Sequence, residues 1–394
     1  MASWHVNTAV LAGLTLAAGL AGAAPLTAQS TDSTAADTTA SGAAQIERTS
    51  IGGYGEVHYS NAKGPDTPGT VNLSRFVLFV GHSFSDRLAF RSEVEIEDAR
   101  IENGAAAGEV AVEQAYIDYQ LSPALTLRTG LLLAPVGIVN ETHEPPTFNG
   151  VERPDFAHDV IPTTWRELGL GAAGTFGQSG FGYRLYLLNG LRASGFSADE
   201  GIREGRQEGQ DATFANPSLT GRLEYGRPGL KVGTSFWYGG TAEQNPAVGT
   251  GTFDAPLFLV SADARYDVGA FQFRGEFANI HVGDADRIDV AYASGVASRI
   301  TGGYVEGAVN LLQFLVPTSA QRLNAFVRHE RYDTQADVPT GITDDPANAR
   351  RLTTFGLTYK PLWNVAFKGD YQLRRNAAGT GEGEILRFGV GYQF

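Results

Sequence analysis

The chain has no cysteine, which excludes disulfides and thiolate metal sites. Lysine is almost missing too: Lys63, Lys231, Lys360 and Lys368 are the only four in 394 residues. With a net charge of -13, nothing basic is available to neutralise phosphates over a surface, so nucleic acid is not expected as a partner. Past residue 24 no apolar run comes near the roughly eighteen residues of a transmembrane helix. Apolar residues make up 42% and charged residues 19%, a balance that fits neither a disordered chain nor a helical membrane protein.

The first thirty residues, MASWHVNTAVLAGLTLAAGLAGAAPLTAQS, read as a leader. A core from Val10 to Leu20 is rich in Ala and Leu, and small residues suited to cleavage follow near Ala23 or Ala28. That is the pattern of a secretory signal peptide. STDSTAADTTASGAAQ comes next, low in complexity and without aromatics, and is expected to be a disordered lead-in. The expected organisation is a signal peptide over 1–28, a lead-in over 29–48, and one folded unit over 49–394.

From Ile51 onward a unit recurs: an alternating segment ending in an aromatic, a short turn, a second alternating segment and a longer polar loop. Alternation with period two marks strands with one apolar face. Phe84, Tyr119, Tyr225, Tyr266, Tyr359, Tyr392 and Phe394 sit beside the short turns or at the chain end, the tyrosines in parity with apolar neighbours. Such a ring of Tyr and Phe is the aromatic girdle of an outer-membrane barrel, with ring bodies in hydrocarbon and hydroxyls at the headgroups. Short and long connections alternate, and the segments number about sixteen. The expected fold is all-β, a transmembrane antiparallel barrel of about 16 strands in contact with outer-membrane lipid. A soluble sandwich also alternates, but its turns have no reason to alternate short and long.

The opposite parity carries charge. Arg75, Arg91, Glu93, Glu95, Arg128, Arg184, Arg222, Glu224, Lys231, Asp263, Arg265, Arg274, Glu276, Glu306, Arg322, Arg328, Lys368, Asp370, Arg374 and Arg387 are the candidate pore-lining residues. So many ionised groups on one face demand water there, which predicts an aqueous channel instead of a packed core. Singly, each charge is also explained as an ion pair that orders the wall. Glu113 and Gln114 are adjacent polar residues that break the alternation, so a bulge or slip is expected there.

The stretch 134–164, APVGIVNETHEPPTFNGVERPDFAHDVIPTT, is the longest without strong alternation. Its five prolines stiffen it, and a loop of this length usually has a function, here that of folding into the lumen as a constriction. Glu141, His143, Glu144, Glu152, Arg153 and Asp155 are its candidate constriction residues. The spacing of His143 and His158 matches no metal site, so solvated histidines are expected, with no metal and no cofactor.

Taken in order, GGYGEVHY, VEQAYIDY, LAPVGIVNETHEPPTFNGVERP, IPTTWRELGLG, LYLLNGL, GIREGRQ and FVRHERYDTQ resemble the phosphate-selective porin O and P family of outer-membrane porins. The likeness runs from about residue 51 to the end. It implies a sixteen-stranded bacterial outer-membrane channel, a homotrimer, with the loop after strand 5 folded inward. It also implies passage of small hydrophilic or ionic solutes, including inorganic anions such as phosphate. The phosphate-selective members line the constriction with an Arg ladder and a Lys cluster; here lysines are few and the loop is acidic, so phosphate binding is carried over to no single residue. Two other readings are a closed barrel with a structural or adhesive role and a barrel enzyme. None of the seven histidines stands in a nucleophile motif, and no catalytic residue is assigned.

Overall fold

The structure, a computed structural model, describes residues 48–62, 68–99, 108–242, 254–380 and 383–394. The expected signal peptide lies outside the described residues, as does the lead-in except for Arg48, which opens the first strand. Strands β1 (Arg48–Ala62), β2 (Thr70–Ser83), β3 (Leu88–Glu97), β4 (Val110–Ser122), β5 (Leu125–Leu133), β6 (Arg166–Thr175), β7 (Phe181–Leu188) and β8 (Ser218–Arg227) come first. They are followed by β9 (Leu230–Gly240), β10 (Pro256–Val268), β11 (Phe271–Val282), β12 (Arg299–Asn310), β13 (Arg322–Asp337), β14 (Ala349–Leu362), β15 (Val365–Asn376) and β16 (Gly383–Gln393). Each pairs antiparallel with its neighbours in sequence, and β16 returns to pair with β1, so the barrel is closed. Closure leaves no strand edge for hydrocarbon to satisfy.

The terminal residue takes part in that closure. Phe394 N–H donates to Gly53 O at 2.8 Å and accepts at its own carbonyl from Gly53 N–H at 2.9 Å, while its ring is exposed on the outside. Phe84, Tyr119 and Tyr266 are likewise exposed, and Tyr225, Tyr359 and Tyr392 are half-buried. Higher on the same outer face come Leu170, Leu187, Phe258, Val260, Phe273, Phe277, Val305, Val327, Phe355 and Phe388, all exposed. These residues alternate with inward ones along each strand, which makes the outside an apolar band of the kind that lies in a bilayer.

The expected irregularity at Glu113 is present. Glu93 pairs with Gln114 but Val94 pairs with Val112, so Glu113 is the extra residue of a β-bulge on β4. A bulge lets consecutive side chains point to the same side. Glu113 is fully buried.

The expectation of water throughout the interior does not hold. A contiguous apolar cluster joins inward wall residues Tyr186 and Leu188 on β7, Trp237 on β9, Leu257 and Leu259 on β10, and Ile280 on β11 to residues of the inward-folded loop. The physical reason is that β10 is apolar on both faces where it begins: in PLFLV, Phe258 and Val260 face lipid while Leu257 and Leu259 face in. A wall that is apolar inside must be covered, and the 134–165 connection covers it.

Candidate functional site

The segment between β5 and β6 enters the barrel and is gathered at its mouth by one side chain. Asn140 Nδ2 donates to Ala134 O at 2.7 Å and to Trp165 O at 3.0 Å, and Asn140 Oδ1 accepts from Trp165 N–H at 2.8 Å. Both ends of the loop are thus tied to Asn140. Trp165 then packs on Trp237, ring centroids 4.2 Å apart, with both indoles fully buried.

Along its course the loop meets inward groups of the wall one after another. Ile138 N–H donates to Glu276 Oε1 at 3.1 Å, and Asn149 Nδ2 to Glu306 Oε1 at 2.9 Å. Val151 N–H donates to Asp370 Oδ2 at 2.6 Å, and Phe156 N–H to Glu330 Oε2 at 2.9 Å. From the wall, Lys360 Nζ donates to Pro146 O at 2.5 Å and Arg274 Nη1 to Thr147 O at 2.8 Å. Gly137, at φ 77°, makes the first contact possible: a Cβ there would run into the Glu276 carboxylate. Buried loop N–H and C=O groups need partners, and these wall charges supply them.

The candidate pore-lining residues fall on the inner face, but most are paired. Arg75 bridges Glu56 at 2.7 Å and Glu95 at 3.2 Å; Arg128 grips Asp118 at 2.7 Å and 2.9 Å. Arg222 holds Asp263 at 2.6 Å, Arg328 holds Glu330 at 2.9 Å, and Arg387 holds Asp370 at 2.8 Å. Glu224 stands among Arg222, Lys231 and Arg265, at 3.2 Å, 3.7 Å and 3.9 Å. Arg91 and Arg322 share the inner face with their cross-strand partners Tyr116 and Lys360. Lys368 lies over the Phe148 ring at 3.7 Å.

The loop residues expected at the constriction reach the wall as well. Glu141 pairs with Arg184 at 2.8 Å, Glu152 with His58 at 2.9 Å, and Asp155 with Gln372 at 3.1 Å and Arg374 at 3.9 Å. The Arg153 carbonyl accepts from Arg328 at 3.3 Å, and Glu144 Oε2 is buried. His158 is solvated as expected, but His143 is not: it is 3% exposed, with Nε2 3.3 Å from Glu113 and 3.6 Å from Glu93. Partners 30 and 50 residues away in sequence gave no local sign of this burial; the broken alternation at Glu113 was the one visible trace.

At the far end of the loop Asp159 collects three donors: His158 at 2.7 Å, Tyr332 at 2.7 Å and Arg350 at 2.6 Å. Burial opposes its ionisation, yet the hydrogen bonds from His158 and Tyr332 and the Arg350 charge prevail and hold its carboxyl below the usual value.

On the short-turn side of the loop a cavity of about 530 Å³ is lined by Asp118, Arg128, Glu141, Arg184, Arg222, Glu224, Lys231 and Arg265. On the long-loop side one of about 260 Å³ is lined by Glu95, Glu97, Glu109, Arg166, Arg203, Arg206 and Glu208. A third and much smaller cavity, of about 10 Å³, is lined by Ile138, Thr142, Thr147, Phe148, Arg265, Arg274 and Arg328.

No known protein-family model matches the chain. Among solved structures, Vibrio cholerae OmpT lacking its loop L8 matches with a TM-score of 0.56 and 11% identity, over 88% of this chain and 99% of that one. The trimer form of in-vitro folded Vibrio cholerae OmpT gives 0.52 and 11%, over 88% and 99%. Salmonella typhi OmpF in complex with daunomycin gives 0.56 and 14%, over 88% and 97%. At these identities the likeness is one of fold. In sequence, a protein of Aquifex aeolicus (strain VF5), itself described only as uncharacterized, is 36% identical over 357 residues, 88% of this chain and 80% of that protein. The chain is therefore a bacterial outer-membrane β-barrel and belongs to one family with this Aquifex aeolicus protein.

Proposed function

We propose that the barrel is a porin, a passive channel for small hydrophilic and ionic solutes, narrowed by the 134–165 loop. The observation that carries this reading is the charged cavity of about 530 Å³ beneath the loop, enclosed by a wall whose outer face is apolar. Ionised groups in such numbers are stable inside a bilayer only against water or one another. No catalytic step is assigned to any residue.

Selectivity follows from the pairing. The phosphate-selective porin O and P kind lines its constriction with an Arg ladder and a Lys cluster, whereas here lysines are few and Arg75, Arg128, Arg184, Arg222, Arg328 and Arg387 each face a carboxylate within 3.2 Å. The reading is a general porin with weak preference, phosphate being one solute among several. A homotrimer belongs to it, since one barrel of similar fold is described in trimer form.

Single-channel recording in planar bilayers, with the reversal potential taken under a salt gradient, tests this. Discrete conductance steps with a small reversal potential are expected. Strong anion preference blocked by phosphate would move the reading to the phosphate-selective family. Silence from folded, inserted protein would remove the channel and leave a closed barrel.

A further inference from the structure

Glu93 on β3, Glu113 in the β4 bulge and His143 on the inward loop converge on one point, with one ligand-type atom of each within 4.8 Å of the others. We propose that these three side chains bind a divalent transition-metal cation, Zn²⁺ by the fit of the donors, and that the cation staples the inward loop to the barrel wall.

Four observations point there. First, the tautomer is set: His143 Nδ1 lies 3.0 Å from Asn140 O, and a carbonyl only accepts, so Nδ1 carries the proton and a neutral ring turns the Nε2 lone pair toward the carboxylates. Second, Nε2, Glu93 Oε1 and both Glu113 oxygens are buried without a hydrogen-bond partner among the described residues. Carboxylates accept and do not donate, so with a neutral ring this set leaves the central place to a metal cation. Third, the spacing fits. Ligand atoms bound at about 2.0–2.1 Å in a tetrahedron stand about 3.3 Å apart; the separations from Nε2 are 3.3 Å to Glu113 and 3.6 Å to Glu93. Fourth, an outer layer is in place: Gln114 Nε2 donates to Glu93 Oε2 at 2.5 Å, Asn140 O orients the imidazole, and the buried Tyr54 ring meets the His143 ring edge-on at 6.0 Å.

The donor set selects the metal. One imidazole with two carboxylates suits zinc and its transition-metal neighbours, whereas calcium and magnesium take oxygen ligands. Two carboxylates, a neutral imidazole and a divalent cation also sum to zero charge, the least costly composition for a buried site. The bulge gains a purpose, because regular pairing would send Glu113 to the lipid face.

The test needs no channel recording, so its failure and that of the porin reading are distinguishable. Barrel purified from outer membranes is equilibrated with Zn²⁺, stripped of loosely held metal, and analysed by elemental mass spectrometry. One zinc per chain is expected in the wild type and in His158→Ala, which alters an exposed histidine. Glu113→Gln, near in shape, and His143→Gln should each weaken Zn²⁺ binding at least about tenfold, since even outer-layer substitutions at metal sites cost that much. Circular dichroism shows which variants retain the barrel, and Glu93→Gln replaces any that does not. Absence of zinc from the wild type, equal loss in His158→Ala, or full retention in folded Glu113→Gln overturns the proposal. The trio would then be an imidazolium lying between two carboxylates.

Discussion

Against β7, β9 and β10 the inward loop is held by apolar packing, through Trp165, Trp237, Leu257 and Leu259. Against β13, β15, β16 and the β1–β4 side it is held by hydrogen bonds and charge, through Glu330, Asp370, Arg387, His58 and Glu93. The two attachments are different kinds of contact. Apolar packing is tolerant of small shifts and scales with the area removed from water. Buried charged contacts contribute little net stability but penalise any arrangement that leaves one partner behind. The apolar side therefore keeps the loop inside, and the charged side determines where along the wall each loop residue stops.

The sharpest way to break this division is Trp165→Ala. The indole is fully buried and packed on Trp237, so its removal leaves a cavity at the base of the loop. A loss of about 3–5 kcal/mol is expected from denaturant unfolding of the folded barrel in micelles. Conductance should rise and become noisier as the loop loosens. A loss under about 1 kcal/mol would show that the charged side alone retains the loop.

Asp370→Asn probes the other attachment with little change in volume. Its carboxylate accepts from Val151 N–H at 2.6 Å and from Arg387 Nε at 2.8 Å, and Arg387 is itself buried. The expected cost is about 1.5–3 kcal/mol, the range for hydrogen bonds involving a charged group. Because this contact positions the loop, the variant should alter ion selectivity more, relative to its stability loss, than Trp165→Ala does. Equal changes in both properties for the two variants would dissolve the distinction.

How far each attachment could be read from sequence follows from the same physics. The outer face was legible, since lipid imposes apolar residues at every second position: Phe394, Tyr266 and Phe258 declare their side without knowledge of their neighbours. The inner charges were legible as a set for the converse reason. Their pairing was not, because Arg222 finds Asp263 and Arg387 finds Asp370 across strands, and a one-residue slip in register reverses every such contact. The packed half was hidden by a wrong premise, that an inward residue must meet water. PLFLV and GLLLAPVGIV, apolar on both parities, carried the contrary signal, since a strand or loop covered on both faces loses its alternation. The candidate metal trio was the least legible part, drawing on two strands and a loop, with a bulge deciding the direction of Glu113.

The smallest expected effect concerns the far end of the loop, where the two kinds of attachment meet. Tyr332, part of the apolar cluster, donates to Asp159, which also faces Arg350. Asp159 has its folded pKa held below the ordinary 3.8, so the folded state favours the ionised form. The sign is that of a depressed carboxylate: its contribution is complete above about 3.8 and is lost as pH falls through the lower folded value. Acid should therefore loosen this end of the loop, while the Trp165–Trp237 packing does not depend on the Asp159 carboxylate. Asp159→Asn should be slightly less stable at neutral pH and should show a flatter decline in stability over the acid interval below the ordinary 3.8. Midpoints of denaturant unfolding across that interval provide the comparison. A variant whose curve runs parallel to the wild type would mean that Arg350 and Tyr332 hold this end without help from the carboxylate's charge.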